Sequence, residues 1–256
     1  MHELTQHTRE YWQYEYDVSA LSMVPLLRSW GVRIEGSSVL DVGSAEGGGL
    51  CALHDQGAVC AGFDVDEPRI RAAEQLRGNR KIDFRTGNLY LETLPFDDRQ
   101  FDIVMLHDVF EHLDRKSEVI AKLKRYMKPG GMLLITFPPY YSAYGAHQQR
   151  LRTSYARIPF FHLVPFSMSF VLPRLRHEAP HIVEEVEKLG RLKMGMRKFE
   201  GIVRDGGLHI RHKKAYVVSP NHIRFGLRPI PAGLIARLPV ISELFCSGVV
   251  YLLSKG

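Results

Sequence analysis

Val39-Leu40-Asp41-Val42-Gly43-Ser44-Ala45-Glu46-Gly47-Gly48-Gly49 is the stretch on which the reading of this chain turns. A short apolar run ends in an aspartate and breaks into small residues and glycines. Leu50-Cys51-Ala52-Leu53 then resumes an apolar pattern. The order reads strand, tight turn, helix start. Glycine lacks a Cβ, so such a turn lets backbone N–H groups close on a ligand at a helix N-terminus. Gly43-Ser44-Ala45-Glu46-Gly47-Gly48 also has the form G-x-A-x-x-G, which serves a dinucleotide. The turn alone leaves its ligand open.

Outward from that turn, helices alternate with buried strands. Ser38 to Val42 is the first strand, and a helix follows from Ala45 to Gln56. Ala58 to Asp64 is a second strand that again ends in an acid. Asp66 is placed to cap the next helix, which runs to Arg77 with Pro68 in its first turn. Ile82 to Thr86 and Phe101 to Leu106 read as strands. The stripe Val119, Ile120, Leu123, Tyr126 and Met127 marks a helix over Arg115 to Met127, stopped by Pro129-Gly130-Gly131. Met132 to Phe137 is apolar throughout, as a central parallel strand is. This alternation predicts a doubly wound parallel sheet, whose ligands sit at the carboxyl ends of the strands. Asp41, Gly43, Gly47, Asp64, Asn88 and His107 all fall at such ends.

The flanks differ. Arg9 to Trp30 reads as helical, with Tyr11, Trp12, Tyr14 and Tyr16 clustered; Tyr11 and Tyr14 share a face and are expected to pack on the core rather than cover a ligand. Residues 1–36 form a helical cap, and residues 138–193, rich in Pro, aromatics and Arg, an inserted lid of short helices within one domain, 1–256. Arg197 to Asp205 looks helical, and Leu208 to Val218 and Val249 to Leu253 close the strand count at seven.

The formal net charge of +6 is spread over Arg69 to Lys81, Lys122 to Lys128 and Arg204 to Lys214, which fits solvated helix faces. Cys51, Cys60 and Cys246 show no metal-ligand spacing and sit in apolar runs, as free thiols of a reducing compartment do. Met1 to Gln6 has no apolar signal region. The run Ile158 to Leu172, broken by His162 and Pro165, is too short to span a bilayer. The expected setting is cytoplasmic.

Asp64 follows the glycine turn by about 20 residues, where a carboxylate takes both hydroxyls of a ribose. Here the residues carry a resemblance. Leu40-Asp41-Val42-Gly43-Ser44-Ala45-Glu46-Gly47 resembles the L-D-x-G-x-G-x-G motif of class I S-adenosylmethionine-dependent methyltransferases, and Asp64 matches that family's ribose-binding acid. Gly87-Asn88-Leu89, Leu94-Pro95-Phe96-Asp97-Asp98, Phe101-Asp102, Glu111-His112-Leu113 and Leu123 to Gly131 follow in the family's order. The resemblance implies a Rossmann-like, mainly parallel seven-stranded sheet with an antiparallel last strand. It implies S-adenosyl-L-methionine as cofactor, with S-adenosyl-L-homocysteine as product. It places Asp41, Gly43, Ser44, Ala45, Gly47, Asp64, Val65, Asn88, Leu89 and His107 around that cofactor. Ala45 stands where the motif has its second glycine, Asn88 where an Asp is usual, and Tyr90 to Thr93 are four extra residues. The Lys-Pro-Gly-Gly turn, the acid two residues before the first glycine and the late strand favour this family over a dinucleotide enzyme.

Phe137-Pro138-Pro139-Tyr140 resembles the [DNS]-P-P-[YF] motif of enzymes that methylate amino groups on DNA. Phe137 has no acceptor atom to hold an amine, and the segment follows the fifth strand rather than the fourth, so no nucleic-acid substrate is expected. His107, Glu111 and His112 could suggest a metal site; His107 and His112 are five apart and would diverge on a helix, so no metal is expected. The acceptor side is expected after the fifth strand, where Tyr140 and Tyr141 offer aromatic walls and His147 an imidazole suited to take a proton. Phe160, Phe161, Phe166 and Phe170 point to an apolar or aromatic acceptor. The expectation is a small-molecule methyltransferase acting at oxygen. Two alternatives are a membrane-surface enzyme acting on a lipid or quinone through Ile158 to Leu172 with Arg150, Arg152 and Arg157, and a cofactor-binding fold without transfer.

Overall fold

A computed structural model describes residues 4–164 and 178–256, except for the side chain of Tyr155. Phe166, Phe170 and most of the apolar run Ile158 to Leu172 therefore lie outside the described residues.

Eight strands form one sheet: β1 (Ser38–Val42), β2 (Val59–Asp64), β3 (Asp83–Thr86), β4 (Phe101–His107), β5 (Met127–Phe137), β6 (Leu208–Val218), β7 (Ile230–Pro231) and β8 (Gly248–Lys255). Their spatial order is β3-β2-β1-β4-β5-β8-β6-β7. The first five pair in parallel, and β8 pairs antiparallel with both β5 and β6. The seven expected strands are all present. The eighth, β7, is a two-residue pairing with Tyr216 and Val218 of β6, too short to leave a pattern in sequence.

Side chains of a strand alternate between the two faces of a sheet. Leu40, Val104, Leu106, Leu133 and Ile135 join a core with α5 (Lys116–Tyr126) and α7 (Met196–Asp205). Their neighbours Val39, Ile103, Met105 and Leu134 join the opposite core with α2 (Val24–Ser29), α3 (Gly48–His54) and α4 (Glu67–Leu76). Both faces of the sheet are therefore covered, which is why the strands read as continuous apolar runs. Each large side chain buried here stabilises the fold by roughly 1.5–3 kcal/mol.

Local chemistry sets the ends of these elements. The Asp66 side chain accepts a hydrogen bond from the Arg69 N–H at 3.3 Å and caps α4. Thr5 does the same for Thr8 at 3.1 Å and starts α1 (Gln6–Val18). α1 continues through a wide π turn, Ser19–Met23, into α2. Pro25 has no N–H to give, and its ring crowds the preceding turn, so the wider turn relieves both. Helix α5 stops at Tyr126, before the Pro129-Gly130-Gly131 expected to stop it. Strand pairing begins at once, Met127 opposite Phe101, and resumes with Met132 opposite Ile103. Pro129-Gly130-Gly131 is thus an excursion inside β5.

Between β5 and α7 the described residues form three short 3-10 turns, Gln148–Arg150, Ser154–Arg157 and Phe161–Leu163, and then α6 (Pro180–Leu192). Leu151, Ala156 and Val186 make a small apolar cluster there. The last helix, α8 (Pro239–Phe245), precedes β8.

Candidate functional site

A pocket of about 150 Å³ lies at the carboxyl ends of β1, β2 and β4, roofed by α1. Asp41, Gly43, Ser44, Ala45, Asp64 and His107 line it, six of the residues that the sequence pointed to. A wider open hollow of about 640 Å³, lined by Asp97, Arg99, Arg125 and Lys128 among others, sits at the starts of β4 and β5, the opposite edge of the sheet.

The remaining expected contacts fall elsewhere. Gly47 does not line the pocket; its φ of +78° and a Cβ position only 2.4 Å from Phe84 Cζ make it a packing glycine. Gly48 is closed in by α1, since a Cβ there would stand 2.1 Å from the Trp12 carbonyl oxygen. Val65 is largely exposed, and Leu89 belongs to the core. The Asn88 side chain accepts from the Tyr90 N–H at 2.9 Å. Ala45 lines the pocket with φ +46°, a left-handed backbone that glycine would adopt without strain.

Tyr11 and Tyr14 line the pocket as well, contrary to the expectation that they pack on the core; Trp12 and Tyr16 of the same helix are the ones packed against it. A helix turns 100° per residue, so the four aromatics divide between two faces. Arg69 lies over the Tyr11 ring at 5.5 Å, and Arg224 over Tyr14 at 5.4 Å. Burial pushes both phenols above their ordinary range, so both rings remain neutral hydroxyls.

The pocket is acidic. Burial drives the Asp41 carboxyl up to about 7, against the opposing charge of His107. Burial and then Glu46 raise Glu15 well above the carboxylate range. Glu15 accepts from the Gly48 N–H at 3.3 Å. Asp64 receives the Ala45 N–H at 3.0 Å and the Asp66 N–H at 2.9 Å, so the acid that ends β2 also clamps the turn after β1. Asp41 Oδ1 and Ser44 Oγ are buried without a hydrogen-bond partner. Buried polar atoms without partners are uncommon and mark places where a ligand satisfies them. The donors and acceptors on offer match a cationic ligand carrying hydroxyls.

Asp108 lines the same pocket. Its Oδ1 accepts from Thr136 Oγ1 at 2.8 Å, and its Oδ2 accepts from Asn221 Nδ2. Asn221 Oδ1 lies 3.4 Å from His107 Nε2. The network joins the ends of β4 and β5 to the β6–β7 connection. Asn221 is more than 80 residues downstream of that edge in the chain, and no local pattern could have revealed it.

Tyr140, Tyr141 and His147 do not line this pocket. The Tyr140 ring is buried edge-on against Tyr141 at 5.2 Å and His162 at 5.1 Å. His147 belongs to a second group. Its Nδ1 is 3.1 Å from Glu185 Oε1 on α6, and its ring centre is 5.2 Å from that of His112. Arg150 also donates to Glu185. Burial opposes ionisation of Glu185, but the His147 hydrogen bond and the Arg150 charge outweigh it and hold the carboxyl at about 2. Burial, then the His147 charge, lowers His112 to about 4. No metal was expected of His107, Glu111 and His112, because His107 and His112 are five apart. His107 does lie in the pocket, but His147 takes its place: Glu111, His112 and His147 bring ligand atoms within 4.8 Å of one another.

Residues 40–135 match the family described as methyltransferase domain. A phosphoethanolamine N-methyltransferase of Plasmodium falciparum is 35% identical over 106 residues, which cover 40% of this chain and 39% of that protein. A ubiquinone biosynthesis O-methyltransferase of Pseudomonas fluorescens is 32% identical over 136 residues, 49% of this chain and 56% of that one. The chain thus spans between two fifths and somewhat over half the length of these curated relatives. Among solved structures, an S-adenosylmethionine-dependent methyltransferase from Mesorhizobium loti superposes with a TM-score of 0.56 at 17% identity, covering 90% of this chain and 95% of that one. Magnesium protoporphyrin IX methyltransferase from Synechocystis, solved with bound S-adenosylhomocysteine, superposes with a TM-score of 0.57 at 16% identity, covering 100% and 90%. At these identities the structures speak for the fold.

Proposed function

From a class I methyltransferase fold that carries a methyltransferase domain over residues 40–135, we propose that this chain binds S-adenosylmethionine in the acidic pocket and methylates a small apolar or aromatic acceptor at oxygen. The observation that carries the reading is the pocket at the carboxyl ends of β1, β2 and β4, with Asp41 Oδ1 and Ser44 Oγ buried in its lining without partners. When bound, that cofactor supplies a methyl carbon on a sulfonium, which passes to the acceptor oxygen as S-adenosylhomocysteine is released and the acceptor proton leaves to base or solvent. Asp64 holds the ribose hydroxyls, and the turn Gly43 to Ala45 receives the amino-acid end. A bound sulfonium would draw the Asp41 carboxyl, poised at about 7, towards its charged form, and Tyr11 and Tyr14 exclude water from above. Residues 1–36 act as the roof and residues 138–193 as the acceptor-binding segment. Oxygen is favoured because relatives that match over about half of this chain are ubiquinone biosynthesis O-methyltransferases.

Calorimetry tests the cofactor assignment. S-adenosylhomocysteine binds and NAD does not, and Asp64→Ala weakens binding by about 1–3 kcal/mol through lost charge-assisted hydrogen bonds. Unchanged affinity in a folded Asp64→Ala protein removes the ribose role.

One observation favours a second reading, action on a lipid or quinone at a membrane surface. Phe225, Leu227, Ile230, Leu234, Val240 and Phe245 are all exposed within 21 residues, and Arg224, Arg228 and Arg237 are interspersed with them. No helix among the described residues is long and apolar enough to cross a membrane, so contact on this reading is interfacial.

A further inference from the structure

We infer that Glu111, His112 and His147 form a binding site for a divalent transition-metal ion beside the acidic pocket. Glu111 and His112 lie in the 3-10 turn Phe110–His112, which follows the pocket residues Asp108 and Val109 directly. His147 comes from the segment after β5. Glu111 is 1% exposed, and neither of its carboxylate oxygens has a hydrogen-bond partner. A buried carboxylate left in that condition is costly unless a cation or proton satisfies it. Glu111 Oε1 lies 3.6 Å from His112 Nε2, too far for a hydrogen bond. Two donors each about 2.1 Å from a tetrahedral ion stand about 3.4 Å apart, so that spacing already suits a shared ion.

The His147 ring has the carboxylate partner on one nitrogen that a metal ligand's ring usually has. Its Nδ1 faces Glu185 Oε1 at 3.1 Å, and Arg150 holds the other oxygen of that carboxylate. With Nδ1–H donating to Glu185, Nε2 carries the lone pair that a cation takes. Glu185 is a positioning residue here. Two imidazoles and one carboxylate select zinc, manganese or a neighbouring first-row ion over calcium or magnesium, which prefer all-oxygen sets. Three protein ligands leave coordination positions open, and an oxygen of the acceptor can take one. That role, though not the site itself, rests on the methyltransferase reading. Individually these residues read as ordinary: Glu-His follows a strand, and His147 stands 35 positions further on. Only the folded chain joins them.

The full chain, stripped with EDTA and dialysed, is titrated calorimetrically with zinc and with manganese ions. One equivalent binds. His112→Ala and His147→Ala each weaken that binding more than about 100-fold, and Glu185→Gln by about 10–100-fold. His181→Ala, at an exposed histidine of α6, leaves it unchanged. No saturable binding, or full affinity in either ligand variant, overturns the site. Glu111→Gln keeps the shape of the buried side chain and guards against misfolding: zinc raises the melting temperature of the parent chain but not of this variant. An equal rise in both also overturns the site. S-adenosylhomocysteine is titrated into the same samples; its failure to bind would tell against the proposed reaction and leave the ion result standing.

Discussion

At Asp41 a single buried carboxyl couples the pocket to stability. Its folded pKa is about 7 against an ordinary 3.8, because burial disfavours the charged form. Between those values the folded chain binds more protons than the unfolded chain. Its stabilising contribution is therefore complete below about pH 4 and is lost as pH rises towards 7, with a slope of up to about 1.4 kcal/mol per pH unit. Glu15, also raised, acts in the same direction. Asp41→Asn stays neutral throughout, so its melting temperature falls less between pH 5 and 7 than that of the parent; parallel curves would remove Asp41 as the cause. Residues such as Asp41 and Asp64 were legible because strand-end acids stand in the local pattern. The duty of Gly47 was not. In sequence it looked like part of a ligand cradle, but its missing Cβ makes room for Phe84, 37 residues away.

At the scale of elements, α7 holds the 3-10 turn that carries Glu111 and His112. Phe199 of α7 sits 5.1 Å from Phe110, 5.1 Å from Phe137 and 4.6 Å from Tyr251, fully buried among them. Phe199→Ala opens a cavity at that junction and costs about 3–5 kcal/mol. Denaturant unfolding measures it, and a loss below about 1 kcal/mol would mean that the ring is not a keystone of this face. Helix α1 supports a second expectation. Tyr14→Ala opens the roof of the pocket and leaves the aromatic core of Trp12 and Tyr16 intact, so S-adenosylhomocysteine affinity drops about tenfold or more while melting changes little. Equal affinity would return Tyr14 to a packing role. The helices themselves were readable from caps and apolar stripes. The inward faces of α1 were not, because four aromatics in six residues give no preferred side until the sheet edge is in place.

For the molecule as a whole, the parallel half of the sheet was readable because burial on both faces leaves continuous apolar runs. The residues after β6 left a weaker pattern: β7 is two residues long, and the connection exposes its hydrophobic side chains instead of burying them. That exposure supports the membrane-surface setting, and flotation decides between the two. Leu234 is 73% exposed and Phe225 64%, in a stretch that carries Arg224, Arg228 and Arg237; Glu243, the acid of this stretch, is buried and accepts the Arg197 N–H. Apolar side chains would enter the headgroup boundary and the arginines would meet anionic lipid, each charge contributing about 1 kcal/mol. The membrane-surface reading therefore predicts that the chain floats with anionic vesicles, less with neutral ones, and less as salt screens the arginines. Leu234→Ser with Val240→Ser removes exposed apolar side chains away from the pocket, so flotation falls while S-adenosylhomocysteine still binds. If the parent chain stays at the bottom of the gradient with both vesicle types, the acceptor is a soluble metabolite that reaches the pocket through water.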